Sequence, residues 1–205
     1  MTPDQPGDLD RDAALTLWRA YVATLPAPPL EEPTVERFGD GPALADELLG
    51  LVLAGTKRAT AGLVADFAAD GEPLPRIGGH WVVCDGAGVP RCVLRSVDLR
   101  LGPLLSVDDA FAWDEGEGDR TRASWLDGHE RYFRRTQAAR GEEWSDDLEV
   151  VFERFRVVWP PEVADCDIVG LSADPATSSR GYGPAAGARA ERARCGGQRG
   201  PSTSS

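Results

Sequence analysis

The sequence predicts an α+β fold, a small curved sheet or barrel flanked by helices. Apolar residues recur at helical spacing in three well-separated segments. Short runs rich in Val, Leu and Cys, joined by the turn-like Asp85-Gly86-Ala87-Gly88, lie between the second and the third. The two kinds of segment mix without regular β-α-β alternation, which speaks against a doubly wound parallel sheet.

Residues 10–25 place Leu15, Trp18, Tyr21, Val22 and Leu25 three and four positions apart, the pattern of an amphipathic helix. Pro26-Ala27-Pro28-Pro29 stops it, because proline lacks the amide hydrogen that a helix interior needs. Residues 34–38 read as a short strand. A second helix opens at Gly41-Pro42, where proline is tolerated in the first turn. It carries Leu44, Leu48, Leu51 and Val52 on one face, and Gly55 stands where a left-handed cap would close it. Residues 80–84 and 90–101 form a hairpin, and residues 107–113 a short helix. A longer helix over 121–139 has Trp125, His129, Tyr132 and Phe133 on one face, with Asp119 as a candidate N-cap. Residues 148–159 alternate well enough (Val150, Phe152, Arg154, Arg156, Val158) for a long final strand.

After Pro160-Pro161 the composition turns to Ala, Gly, Ser, Pro and Arg, with few large apolar groups. Such a segment buries too little surface to offset its ordering entropy. The expectation is one domain over residues 12–160 and a disordered tail over 161–205. From Arg180 onward there are five arginines and one glutamate, a net of +4, which suits a solvated tail.

Over the whole chain, 34 acidic residues against 22 basic ones give a net charge of −12. Non-specific grip on long polyanions runs on Lys and Arg neutralising phosphates, so a small, weakly charged ligand is favoured. No apolar run approaches the roughly 18 residues of a membrane helix. The polar, acidic first residues lack the basic region and apolar core of a signal peptide. Cys84, Cys92, Cys166 and Cys195 form no C-x-x-C pair and have no histidine at zinc spacing. They are expected as reduced thiols of a cytoplasmic protein, with no metal and no cofactor. Neither a G-x-G-x-x-G nor a P-loop pattern is present.

Three features carry chemistry. Lys57 is the only lysine, the other 21 basic residues being arginine. It could complement the dipole of the preceding helix, but arginine would serve equally there. Only an ammonium can shed its proton when buried and act as a base. Thr60 lies three residues on. Beside a neutral lysine its hydroxyl is a workable nucleophile, although threonine is also an ordinary strand residue. Asp114-Glu115-Gly116-Glu117-Gly118-Asp119 sets four carboxylates within six positions, broken by two glycines that permit close approach of backbone or ligand. A carboxylate from this run could tune Lys57 or move a proton. His129, beside Trp125 and Phe133, reads as a wall residue of such a site.

Together these residues resemble the ASCH domain family, whose fold is a PUA-like β-barrel with flanking helices. The match rests on the G-x-K-x-x-T of Gly55, Lys57 and Thr60, followed in order by several further segments. These are Gly71-Glu72-Pro73-Leu74-Pro75, Glu115 to Asp119, Trp125 with His129, and Val151-Phe152-Glu153-Arg154-Phe155-Arg156-Val157-Val158. The likeness is strongest to a bacterial branch long catalogued as a domain of unknown function. Two departures stand out. Gly79 follows Ile77-Gly78 where the family often has an acid, and Leu126 follows Trp125 where it commonly has arginine. Losing that arginine disfavours phosphate-bearing ligands.

The resemblance implies one of two functions. In the first, the protein hydrolyses an amide on a modified nucleoside such as N4-acetylcytidine. Thr60 then attacks, neutral Lys57 takes its proton, and Glu115 or Glu117 protonates the departing amine. In the second, the same cleft binds or cleaves single-stranded RNA, with Trp81 or Trp113 stacking on bases and Arg58 in contact. Asp119 and His129 complete the candidate ligand contacts.

Overall fold

The computed structural model describes residues 8–166. The expected tail from residue 167 onward lies outside the described residues. Five strands, β1 (Thr34–Glu36), β2 (Ala59–Leu63), β3 (His80–Cys84), β4 (Pro90–Pro103) and β5 (Glu149–Trp159), form one mixed sheet in the order β1-β3-β4-β5-β2. Only β1 pairs in parallel, with β3; the remaining pairs are antiparallel. The two edge strands, β1 and β2, line a common cavity, so the sheet curls into a half-barrel. Five helices flank it: α1 (Arg11–Val22), α2 (Pro42–Leu53), α3 (Val64–Asp70), α4 (Asp109–Glu115) and α5 (Arg122–Arg140). The α+β, PUA-like class expected from the sequence is the class observed.

Strand periodicity sorts the core. On β3, Trp81 and Val83 face α2 and pack with Leu48, Leu49, Val52 and Phe155. Val82 and Cys84 face the other way, onto Ala14, Trp18 and Tyr21 of α1. Successive side chains leave a strand on opposite faces, so a sheet covered on both sides is apolar on both parities. A third cluster joins β5 (Val150, Phe152) to α4 and α5 through Phe111, Ala112, Trp125 and Phe133. Each fully buried phenylalanine here contributes about 1.5–3 kcal/mol of transfer free energy.

Four details differ from the sequence reading. Helix α3 is not anticipated, because none of its residues is buried and it shows no apolar face. Helix α1 ends at Val22, before the prolines. The N-cap of α5 is Thr121, whose side chain accepts from the Ser124 amide. Asp119 instead holds that capping residue, accepting from the Thr121 amide (2.9 Å) and hydroxyl (2.7 Å). Finally, Cys166 is disulfide-bonded rather than a reduced thiol. A disulfide needs proximity in space, which sequence spacing does not limit. Cys84 and Cys92 are free and buried, and burial pushes the Cys92 thiol up to about 12, where it is inert.

Candidate functional site

The lysine is placed by backbone constraints on both sides. Gly55 follows α2 with a φ of 83°, and the amides of Thr56 and Lys57 both donate to the Leu51 carbonyl, at 2.9 and 3.1 Å. Gly55 thus serves as the left-handed closure that its position suggests. The Arg58 amide then donates to the Asp114 carbonyl at 2.7 Å, tying the start of β2 to the last turn of α4. Gly116 ends α4 with a φ of 77°, so tightly apposed that an added Cβ would lie 2.5 Å from the Thr56 carbonyl oxygen. Glu115 and Glu117 are thereby delivered to either side of the Lys57 ammonium.

Lys57 Nζ donates to Glu115 Oε1 at 3.2 Å and to Glu117 Oε1 at 2.6 Å. The lysine and Glu115 side chains are each 1% exposed, whereas Glu117 is 33% exposed and faces solvent. The Phe38 ring lies 5.5 Å from Nζ and closes the third side. Glu115 also accepts from the Trp125 indole N–H. His129, one helical turn further along α5, stacks on Trp125 with ring centroids 3.8 Å apart. Its Nδ1 lies 3.0 Å from the Trp125 carbonyl oxygen and its Nε2 lies 3.5 Å from Glu115 Oε1.

Burial alone would raise the Glu115 pKa, but the charges of Lys57 and His129 and the bonds from His129 and Trp125 hold it well below the usual carboxylate range. Burial likewise opposes a charged His129. Glu115, through charge and hydrogen bond, and then Glu117 outweigh it and raise the imidazole pKa. The site is therefore a compact set of alternating charges, buried except for Glu117, which is open to water.

This cluster lines a cavity of about 460 Å³ that also presents Thr60. Thr60, in turn, lines a larger cavity of about 730 Å³ on the concave side of the sheet, with Glu36, Ser96 and Glu153. Both volumes lie within the range of small-molecule pockets. The structure thus brings Lys57, Thr60, Glu115, Glu117 and His129 together. Among the described residues no hydrogen bond joins Lys57 to Thr60.

Of the other expected ligand contacts, Arg58, Trp113 and Asp119 line neither cavity. The Arg58 side chain is buried, its guanidinium donating to the carbonyls of Val52 and Lys57, both at 2.7 Å, so it braces the backbone under the lysine. Trp81 is 8% exposed, packs edge-on with Phe38 and Phe155, and lines the larger cavity. Trp113 lines neither cavity, and the Arg120 guanidinium covers its ring at 3.9 Å. Asp119 is exposed and spent on Thr121. Residue type alone suggests these four as contacts, and it does not tell which neighbour each side chain meets. Nothing in composition singles out Ser96 or Glu153, and the only signal for Glu153 is its place in Val151-Phe152-Glu153-Arg154-Phe155.

Replacing Gly116 by alanine tests this architecture. A Cβ at positive φ, pressed on the Thr56 carbonyl, is expected to lower stability by about 1–3 kcal/mol. Urea unfolding would measure it, and an unchanged midpoint would show that the Thr56–Gly116 approach is slack.

A family model described as the ASCH domain matches residues 34–159, more than half of the chain. The chain belongs to the ASCH domain family. Solved structures extend the likeness over most of the fold. The ASCH domain from Lactobacillus crispatus JV V101 is 26% identical, with a TM-score of 0.65 over 73% of this chain and 96% of its own. A protein from Enterococcus faecalis V583, assigned to the family model DUF984, is 25% identical, with a TM-score of 0.65 over 72% of this chain and 88% of its own. A comparison with curated proteins gives no match. Among the described residues, no group of three His, Cys, Asp or Glu side chains could hold a metal ion. No described helix is long and apolar enough to cross a membrane.

Proposed function

We propose that this ASCH domain hydrolyses an amide on a modified nucleoside of the N4-acetylcytidine kind. The observation that carries the reading is the Lys57 amine, 1% exposed and bracketed by two carboxylates, in the same cavity as a threonine hydroxyl. A purely structural lysine has no need of a second, solvent-facing carboxylate at 2.6 Å.

The chemistry follows from that hydrogen bond. Lys57 passes a proton to Glu117 and becomes a neutral amine. Thr60 Oγ1 attacks the acyl carbon as its proton moves to Lys57. The tetrahedral adduct collapses, Glu117 returns its proton to the departing N4, and an acyl ester remains on Thr60. Water then adds to the ester, giving its proton to the Glu117 carboxylate. The acid leaves, Thr60 recovers its proton from Lys57, and Glu117 reprotonates the lysine. Glu115 stays ionised throughout and holds Lys57, Trp125 and His129 in place. A nucleoside has no phosphate, which accords with the −12 charge.

The test is incubation of the purified protein with N4-acetylcytidine and, separately, with short RNAs, followed by chromatography of the products. Release of cytidine and acetate is expected. Thr60→Ala should abolish it while leaving the melting temperature unchanged, since Thr60 is only partly buried. Cleaved or retained RNA with an intact nucleoside would overturn the reading in favour of an RNA function for the same cleft.

A further inference from the structure

We propose that Glu153, braced by Ser96, is the base-reading residue of the cleft, pairing as an uncharged acid with the ring nitrogen and adjacent amide N–H of an N4-acylated cytosine. This rests on the nucleoside reading above and names how the same cleft would select its substrate.

The residue is out of character with its surroundings. Along one face of β5 run Val151, Glu153, Phe155 and Val157, all buried, and Glu153 is the one polar member. Its side chain is 7% exposed. One oxygen accepts from the Ser96 hydroxyl, itself 3% exposed. Among the described residues, no cation pairs with Glu153 and nothing else hydrogen-bonds to it. A buried carboxyl without a cation is unfavourable, and a hydrophobic residue would serve the core better. Something outside the protein must reward it.

Its position says what. Glu153 stands directly across from Thr60 in the β2–β5 ladder. Opposed side chains of an antiparallel pair have Cβ atoms about 4.5–5.5 Å apart on the same face. Both residues line the cavity of about 730 Å³, while Thr60 also lines the smaller one beside Lys57. Thr60 is thus the junction between a chemical lobe and a larger lobe. A substrate whose acyl carbon sits at Thr60 has N4 one bond away and N3 three bonds away, within reach of Glu153.

The protonation state suits this task. Burial raises the Glu153 pKa to about 7, with the Ser96 bond opposing and Glu36 adding to the rise. A neutral carboxyl offers an O–H to N3 and an oxygen to N4–H, a matched pair. A carboxylate offers only acceptors and would oppose the N3 lone pair. The other charged or titratable groups lining this lobe are Glu36 of β1, His80 of β3 and Arg95 of β4, with Tyr21 of α1 and the loop residues Glu31, Glu32, Arg37 and Arg76. Burial and then Arg95 hold His80 down to about 4, so it stays neutral through the relevant range.

The experiment follows KM for N4-acetylcytidine from pH 6 to 9 in wild type, Glu153→Gln and Glu153→Leu. In wild type, KM should rise above about pH 7, approaching tenfold per pH unit as a single ionisation removes the pairing form. Glutamine presents the same donor and acceptor without titrating, so Glu153→Gln should hold the low-pH KM across the range. Leucine should raise KM by tenfold or more below about pH 7, the gap to wild type closing at higher pH, without lowering the melting temperature. A Glu153→Gln profile parallel to wild type would overturn the proposal and assign the ionisation to another group. Should wild type turn nothing over, calorimetric titration of Thr60→Ala with N4-acetylcytidine separates the two readings. Binding that weakens above about pH 7 and becomes pH-independent in Thr60→Ala/Glu153→Gln sustains the subsite without the hydrolysis. No binding at millimolar ligand refutes the subsite.

Discussion

Lys57→Met is expected to destabilise the protein by about 3–5 kcal/mol, the loss that follows when one partner of a buried ion pair is removed. Methionine fills much the same space, so the effect is electrostatic rather than a cavity. Glu115, 1% exposed, would keep its bonds from Trp125 and His129 but lose the charge that lies 3.2 Å away. Glu117, a third exposed, can turn back to water and contributes little to the loss. In a domain of this size the melting temperature should fall by on the order of 10 °C. Pairing the change with Glu115→Gln separates charge from packing, because glutamine still offers an oxygen to the Trp125 N–H. The double variant should recover more than half of the lost stability, and neither variant should turn over an acylated nucleoside. If Lys57→Met melts with wild type, the lysine is not embedded as the 1% exposure implies, and its role as a buried base loses its footing.

That dependence on one lysine is legible in the sequence itself, and the reason is chemical. In a chain whose other 21 basic residues are arginine, a lysine marks a position where guanidinium cannot substitute. Glu115 and Glu117 are equally visible there as a pair, but their division of labour is not. It depends on Gly116, whose left-handed turn against the Thr56 carbonyl sends one carboxylate inward and the other toward solvent. Trp125 and His129 sit four apart on a helix, so their shared face is plain from spacing alone. The misplacements have a common cause. Arg58 and Trp113 are residue types that often meet ligands, yet the Arg58 guanidinium is buried on the Val52 carbonyl and the exposed Trp113 ring is covered by Arg120. Glu153 is hidden for a further reason. On a strand covered on one face, alternation separates core from solvent, but β5 buries Val150 and Phe152 on one side and Val151, Phe155 and Val157 on the other. An acid in such a strand looks like a surface position until the second layer is seen.

Stability should also fall as the pH rises through neutrality, and Glu153 should account for a large part of the fall. Its carboxyl titrates at about 7 in the fold against an ordinary value of 4.5. The raised value fixes the sign. Below about pH 4.5 the group is protonated in both states, and the fold carries no penalty. Between 4.5 and 7 the unfolded chain ionises first, and unfolding gains by releasing the proton. Above about 7 the folded protein must hold a buried carboxylate, and the loss is complete. At ~1.36 kcal/mol per pH unit over this interval, the loss approaches about 3 kcal/mol. His129 also has a raised pKa, so its contribution is present below its unfolded value and is lost as the pH rises through the folded one. Glu36, raised by burial and then by Glu72, has the same sign as Glu153. Glu115 acts oppositely, stabilising above its unfolded value and failing only in acid. Urea unfolding of wild type and Glu153→Gln at intervals from pH 5 to 8.5 isolates the one group, because the other three titrate in both proteins. Glutamine keeps an oxygen for the Ser96 hydroxyl and cannot ionise. The difference between the two proteins should widen with pH in favour of Glu153→Gln and level off above about pH 8. A difference that is flat across the range would mean that Glu153 is ionised in the fold at every pH tested, with a cation or water compensating it, and the neutral acid in the cleft would have to be abandoned.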